Sequence, residues 1–290
     1  MVRVPKAGRP DRLRIAMASC QYPPGIIDHE PGFHSYHRLA KHIGENTQEN
    51  RIDLVLLLGD QVYVDPTAGL ADPGSPEERF LFPYQNWYRS REVRNVLRQV
   101  PAYMVMDDHE VADNWEPLRA PDRKHDEALA LGLKYYLNFQ RGPLPPGKSF
   151  TPDFVHNGFH FFVADTRTKR EHRDAVNVGN SNLLGTQQSA ELDAWLQARA
   201  TDDPARPKFI VSPAMFAPRL RKAMQGGKTA NAIHGDGWDG YPASFLHIVR
   251  KVHDLKLQNL YMLSGDAHLC CKATITVQAD GQAPLHFWSV

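Results

Sequence analysis

The sequence has little cysteine, no long apolar run and no surplus of either charge, and each shortage removes a class of protein. Three cysteines, Cys20, Cys270 and Cys271, cannot build a disulfide framework, and the last two are adjacent, where a bridge would be strained. A reducing compartment is the simpler reading. No stretch approaches the roughly 18 consecutive apolar residues of a membrane span, and the longest clean run, Leu54 to Leu58, has the length of a buried strand. The first residues are basic but lack the apolar core of a signal peptide, so the chain as it stands reads as soluble and cytoplasmic, or as periplasmic or secreted where a leader has been removed. Thirty-four Lys+Arg against 33 Asp+Glu leave a formal net charge of +1, without the one-signed field that non-specific nucleic-acid binding relies on. No G-x-S-x-G elbow occurs, which disfavours a serine hydrolase. Repeats, low-complexity tracts and a linker between halves are also missing, so a single domain over residues 1–290 is expected.

What is present is ordinary globular composition, 42% hydrophobic and 23% charged, with 14 histidines beside the 33 acids. Short runs rich in Val, Leu, Ile and Phe alternate with amphipathic stretches, the pattern of an α/β chain with buried sheet. Strands are expected at Leu13 to Ser19, Asp53 to Leu58, Pro101 to Met106, Phe159 to Ala164, Lys208 to Ser212 and Asn259 to Ser264, and a hairpin at Lys272 to Val277 with Leu285 to Val290. Helices are expected at Tyr36 to Asn50, Phe80 to Gln99, Asp122 to Gln140, Tyr241 to Leu255, and from Thr186, capped by its own side chain, to Arg199. Gly142 to Ser149 matches the phosphate-cradling G-x-x-x-x-G-K-[ST] pattern, but three of its four variable positions are prolines without the N–H groups such a loop needs.

Polar clusters stand where the strands end: Ala18-Ser19-Cys20-Gln21, the run from Gly59-Asp60-Gln61-Val62-Tyr63 to Asp65, the run from Asp107-Asp108-His109-Glu110 to Asn114, Asp165-Thr166-Arg167, and Ser264-Gly265-Asp266-Ala267-His268. Ligand sites of open α/β sheets form at the carboxyl ends of the strands, and four carboxylates gathered there call for a bound cation. Each residue alone has a plainer reading: Asp60 as a turn former, Tyr63 as core, Cys20 as a small buried hydrophobe, Arg167 as a salt-bridged surface group.

Together these clusters, spanning residues 18 to 268, resemble the PhoD-like (alkaline phosphatase D) branch of the metallophosphatases. The resemblance implies a four-layer αββα sandwich, two mixed sheets flanked by helices, with a dinuclear or trinuclear metal centre that hydrolyses small phosphate monoesters and often diesters. It implies Cys20, Asp60 and Tyr63 as ligands to Fe(III), with Asp60 bridging to Ca²⁺. It implies Asp107 or Asp108, Asn114 and Asp266 on the calcium side and His268 completing one sphere. It also implies His109 facing the leaving group or a phosphate oxygen, and Arg167, with Arg170, as a phosphate clamp. A thiolate and a phenolate suit ferric iron and carboxylate and amide oxygens suit calcium, whereas a Zn²⁺ or Mn²⁺ pair is the generic alternative. Lys169 stands where an aromatic residue is expected between the two arginines, and an N-terminal β domain and a covering C-terminal helix of better known members are not expected here.

Two other functions compete. A basic run at Arg219, Arg221 and Lys222 would favour nucleic-acid or lipid phosphodiesters as substrates, and a non-catalytic calcium-binding module would leave Cys20, Tyr63, His109 and Arg167 without a role. No membrane partner is expected, and the sequence does not set the oligomeric state.

Overall fold

The computed structural model describes residues 12–22, 31–45, 51–65, 74–142, 153–218, 229–278 and 283–290, in two compact units. The first comprises residues up to Trp115 with Pro121–Pro145; the second comprises Glu116–Ala120 with Pro146–Val290. The proline-rich phosphate-loop lookalike beyond Gly142 and the basic run at 219–222 lie outside the described residues.

In the first unit β1 (Ile15–Ala18), β2 (Leu54–Leu58) and β3 (Ala102–Val105) form a parallel sheet in chain order, with Ile15 opposite Leu54 and Val55 opposite Ala102. Parallel neighbours need crossovers, which helices supply: α1 (Pro31–Glu45) between β1 and β2, and α2 (Pro76–Arg89) with α3 (Arg91–Leu97) between β2 and β3. All five β2 side chains are buried, so its continuous Leu/Val run is the signature of a strand with no solvent face. The sequence suggests one helix over Phe80 to Gln99; two form instead. Ser90 ends α2 and opens α3, its Oγ accepting from the Val93 N–H at 3.3 Å, a local bond that competes with continuing the helix. The last α-helix of the unit, α4 (Arg123–Tyr136), is capped by Asp122, whose carboxylate accepts from the His125 N–H at 2.9 Å, and it runs on into a π-helical turn at Leu137–Arg141.

In the second unit six strands run in the order β4-β5-β6-β7-β9-β8, where β4 is Asp153–His156, β5 Phe159–Val163, β6 Lys208–Ser212, β7 Leu260–Ser264, β8 Ala273–Val277 and β9 Leu285–Ser289. β5, β6, β7 and β9 are parallel; β4 and β8 are antiparallel edges. The expected C-terminal hairpin forms, with Ile275 opposite Phe287. Helices α5 (Gly185–Arg199) and α6 (Pro242–Asp254) contribute Leu192, Trp195, Leu196, Phe245, Ile248 and Val252 to one core with Phe162, Ile210, Met262 and Phe287. Each large apolar side chain fully buried there contributes about 1.5–3 kcal/mol. The expected Thr186 cap does not form: Leu184 occupies the cap without a side-chain bond, and the helix begins at Gly185, where φ is +71°.

Candidate metal centre

In the first unit the three strands run on into turns at one sheet edge, and backbone bonds tie the turns together. Cys20 N donates to Gly59 O at 3.2 Å and Gln21 N to Asp60 O at 2.7 Å, which carries the pairing of β1 and β2 beyond the strands. Cys20 Sγ thereby lies 3.5 Å from Asp60 Oδ2. After β3, the Asp108 carbonyl accepts from Val111 N and Ala112 N, and its carboxylate accepts from Asn114 N at 2.6 Å, closing a turn that points His109 back toward β2. His109 N donates to Asp60 Oδ1 at 3.3 Å. Asp60, Asp108 and His109 each offer a ligand atom within 4.8 Å of the others.

Backbone strain concentrates on the same residues. Eight non-glycine residues among those described have positive φ, and five of them, Cys20, Asp60, Asn114, Asp266 and His268, are ligands expected from the sequence. Left-handed backbone costs a non-glycine residue about 1 kcal/mol or more and persists where the surroundings impose it, commonly at functional sites.

The residue that imposes it at Asp60 is Glu110, to which the sequence pattern assigns no role. It is fully buried, and its carboxylate accepts from Asp60 N at 3.0 Å, Gln61 N at 2.9 Å, Asp107 N at 2.9 Å and Gln140 Nε2 at 3.3 Å. One carboxylate thus fixes the turns after β2 and β3 together. Burial pushes its pKa up, although the N–H groups favour the ionised form. Asp65 is a second unforeseen participant: its Oδ1 lies 2.8 Å from His109 Nδ1. With Nδ1–H donated to Asp65, the neutral ring presents Nε2 as its acceptor. Burial opposes a charge on His109, but the bond to Asp65 and the charges of Asp108, Asp65 and Asp113 outweigh it and raise the imidazole pKa.

Tyr63 packs its ring 4.1 Å from the His109 ring, centroid to centroid, and its buried hydroxyl has no hydrogen-bond partner. Burial, then the charges of Asp60, Cys20, Asp108 and Glu110, push its pKa far above that of an ordinary phenol. A phenol so placed becomes a phenolate only beside a strong cation. This orphaned oxygen, with a thiol and buried carboxylates around it, fits a metal site with anionic ligands. Asp107 is fully buried at the end of β3.

In the second unit Asp165 and Gly265 follow β5 and β7 at the shared carboxyl edge of parallel strands. Asp266 and His268 have φ of +66° and +50°, and His268 is exposed. Asp165 organises the turn after β5, its Oδ1 accepting from Arg167 N and Thr168 N at 2.9 Å each. Arg167 and Arg170 side chains are wholly inaccessible to solvent, and both reach Asp236, which no local pattern of the sequence singles out. Arg167 binds it as a fork, Nη1 to Oδ1 at 3.0 Å and Nη2 to Oδ2 at 2.5 Å; Arg170 Nη1 donates to Oδ1 at 3.0 Å. Burial opposes ionisation of Asp236, but the two guanidiniums outweigh it and hold its carboxyl well below the usual carboxylate range.

This α/β chain, with its sheets flanked by helices, is metallophosphatase-like in fold. Solved structures share it: PhoD, with TM-score 0.69 at 20% identity over 96% of this chain and 55% of that one, and a purple acid phosphatase from yellow lupin (Lupinus luteus) seeds, with TM-score 0.59 at 11% identity over 96% of this chain and 41% of that one. The chain belongs to the PhoD-like phosphatase family, whose profile matches residues 15–289. It is also 27% identical over 302 aligned positions to alkaline phosphatase D of Bacillus subtilis (strain 168), covering 93% of this chain and 48% of that protein. The chain spans about half the length of these relatives.

Proposed function

We propose that the chain is a metal-dependent phosphoesterase acting on small phosphate esters. The observation that carries this reading is the convergence of Cys20, Asp60, Asp108 and His109 around the unpartnered Tyr63 hydroxyl. Cys20, Asp60 and Tyr63 would hold Fe(III), and Asp107 or Asp108 with Asn114 would hold Ca²⁺ with Asp60 shared between them; Asp266 and His268 are proposed as further ligands on the family resemblance. Bound cations supply Lewis acidity and activation of a water nucleophile. His109, held by Asp65, in its protonated form presents Nε2–H to the departing oxygen and gives it that proton, and its raised pKa favours the protonated ring. Glu110 keeps the ligand-bearing turns in place during turnover. Arg167, with Arg170, binds the transferred phosphoryl oxygens.

The test is elemental analysis of protein purified without chelators, with hydrolysis assays on p-nitrophenyl phosphate and bis(p-nitrophenyl) phosphate. Iron and calcium together with monoester turnover are expected; zinc or manganese alone would replace the iron–calcium assignment by the generic pair. Preference for the bis ester would move the substrate class to diesters, and calcium with no turnover on either ester would leave a binding module. The chain is proposed to act without a membrane partner; no described helix is long and apolar enough to cross one.

A further inference from the structure

Two buried guanidiniums side by side require a counter-ion, because an unpaired buried charge costs several kcal/mol. Asp236 provides it, and the geometry it adopts is that of an arginine fork on a planar oxyanion, the arrangement by which arginine grips phosphate. The two partners differ in access. Arg167 and Arg170 side chains have no exposed surface, whereas the Asp236 side chain is 16% exposed. An anion arriving from solvent therefore meets Asp236 and cannot touch either guanidinium until that carboxylate leaves.

The backbone under Asp236 is held independently of its carboxylate. Arg173 Nη1 donates to Gly235 O at 2.6 Å and Gly240 O at 3.2 Å, its guanidinium lies 4.5 Å from the Tyr241 ring centroid, and a Cβ at Gly240 would collide with both the Gly235 carbonyl and Arg173. Arg170 keeps two bonds that do not involve the Asp236 side chain, Nε to Thr166 O at 2.7 Å and Nη2 to Asp236 O at 3.3 Å. Rotation of one short side chain thus opens the fork while the loop and Arg170 stay where they are.

We infer that Asp236 is an internal placeholder for phosphate: its carboxylate seats on Arg167 and Arg170 in the resting protein and is exchanged for the phosphoryl oxygens of the ligand. This rests on the phosphoesterase reading for the identity of the anion. The residue thereby sets the affinity of the clamp without touching the reacting atoms. The exchange also answers how a wholly buried arginine serves as a phosphate ligand.

The experiment is calorimetric titration of inorganic phosphate into the full chain and its Asp236→Asn variant, with turnover of p-nitrophenyl phosphate measured separately. Asp236→Asn keeps the shape and removes the competing charge, so phosphate is expected to bind on the order of tenfold tighter. Melting of the variant in phosphate-free buffer is expected to fall, and phosphate should restore it by more than it raises wild type. Unchanged or weaker phosphate binding, or none in either protein, would overturn the inference. Where Asp236→Asn does not fold, the Arg167 side-chain nitrogen resonances of wild type decide: they shift as phosphate is added, or the inference fails. Tighter binding without turnover in either protein would sink the enzymatic reading and leave the exchange standing.

Discussion

At the scale of single residues Tyr63 separates a core tyrosine from a ligand. Its hydroxyl is buried and has no hydrogen-bond partner, so Tyr63→Phe removes no bond. Melting of the metal-free variant should match wild type or exceed it by the equivalent of about 1 kcal/mol, whereas the iron-loaded variant should lose the visible charge-transfer band of a ferric phenolate. A stability loss in the metal-free form, or an unaltered band in the loaded form, would return Tyr63 to the core. His109 gives a pH prediction with a fixed sign. Its pKa is raised in the folded chain, so its contribution to stability is fully present below the ordinary histidine value of about 6.5 and is lost as pH rises through the folded value. An NMR titration of the metal-stripped protein should place His109 above that value, and Asp65→Asn should bring it down, since Asp65 supplies both a hydrogen bond and a charge. No change on Asp65→Asn would show that the pair is not formed in solution.

At the scale of elements, helix α4 tests whether packing or propensity governs the wall behind the ligand turns. Alanine is a better helix former than glycine by about 1 kcal/mol, so Gly132→Ala would stabilise an isolated helix. In the fold, a Cβ at Gly132 would stand 2.8 Å from both Glu110 O and Val111 Cγ2. Overpacking of that kind costs about 1–3 kcal/mol, so denaturant unfolding should show a net loss of stability, and a gain would mean that the turn carrying Glu110 yields easily. The same contrast explains what was legible in the sequence. β2 can be read because Leu54 to Leu58 is apolar throughout, and the candidate ligand residues stand out because they follow strands directly. β4 cannot be read from the sequence, since Asp153 to His156 is a short edge strand with only His156 buried, whose order comes from pairing with β5. Ser90 reads as helix interior in the sequence because its capping bond depends on the chain changing direction there. Glu110 shows no role in the sequence, since three of the four groups it accepts from lie on the turn after β2 and on the π-helical turn that follows α4. Asp236 stands 69 residues beyond Arg167, and no local spacing connects them.

At the scale of the whole molecule, bound cations should be part of the stability. Buried carboxylates, a thiol and a phenol at one sheet edge repel as anions, and ligands that bind only the native state stabilise it. Exhaustive dialysis against a chelator should abolish turnover and lower the melting temperature, and metal addition should restore both; an unmoved melting curve would contradict a metal centre at that edge. Another consequence concerns the making of the protein rather than its chemistry. Strand β9 lies between β7 and β8, both of which precede it in the chain. During synthesis the inner flank of β7 therefore stays unpaired until residues 285–289 have left the ribosome, while the parallel three-stranded sheet of the first unit is already complete. A nascent chain paused before residues 285–289 have emerged offers an open strand edge to its neighbours, so a pause there should favour aggregation over folding.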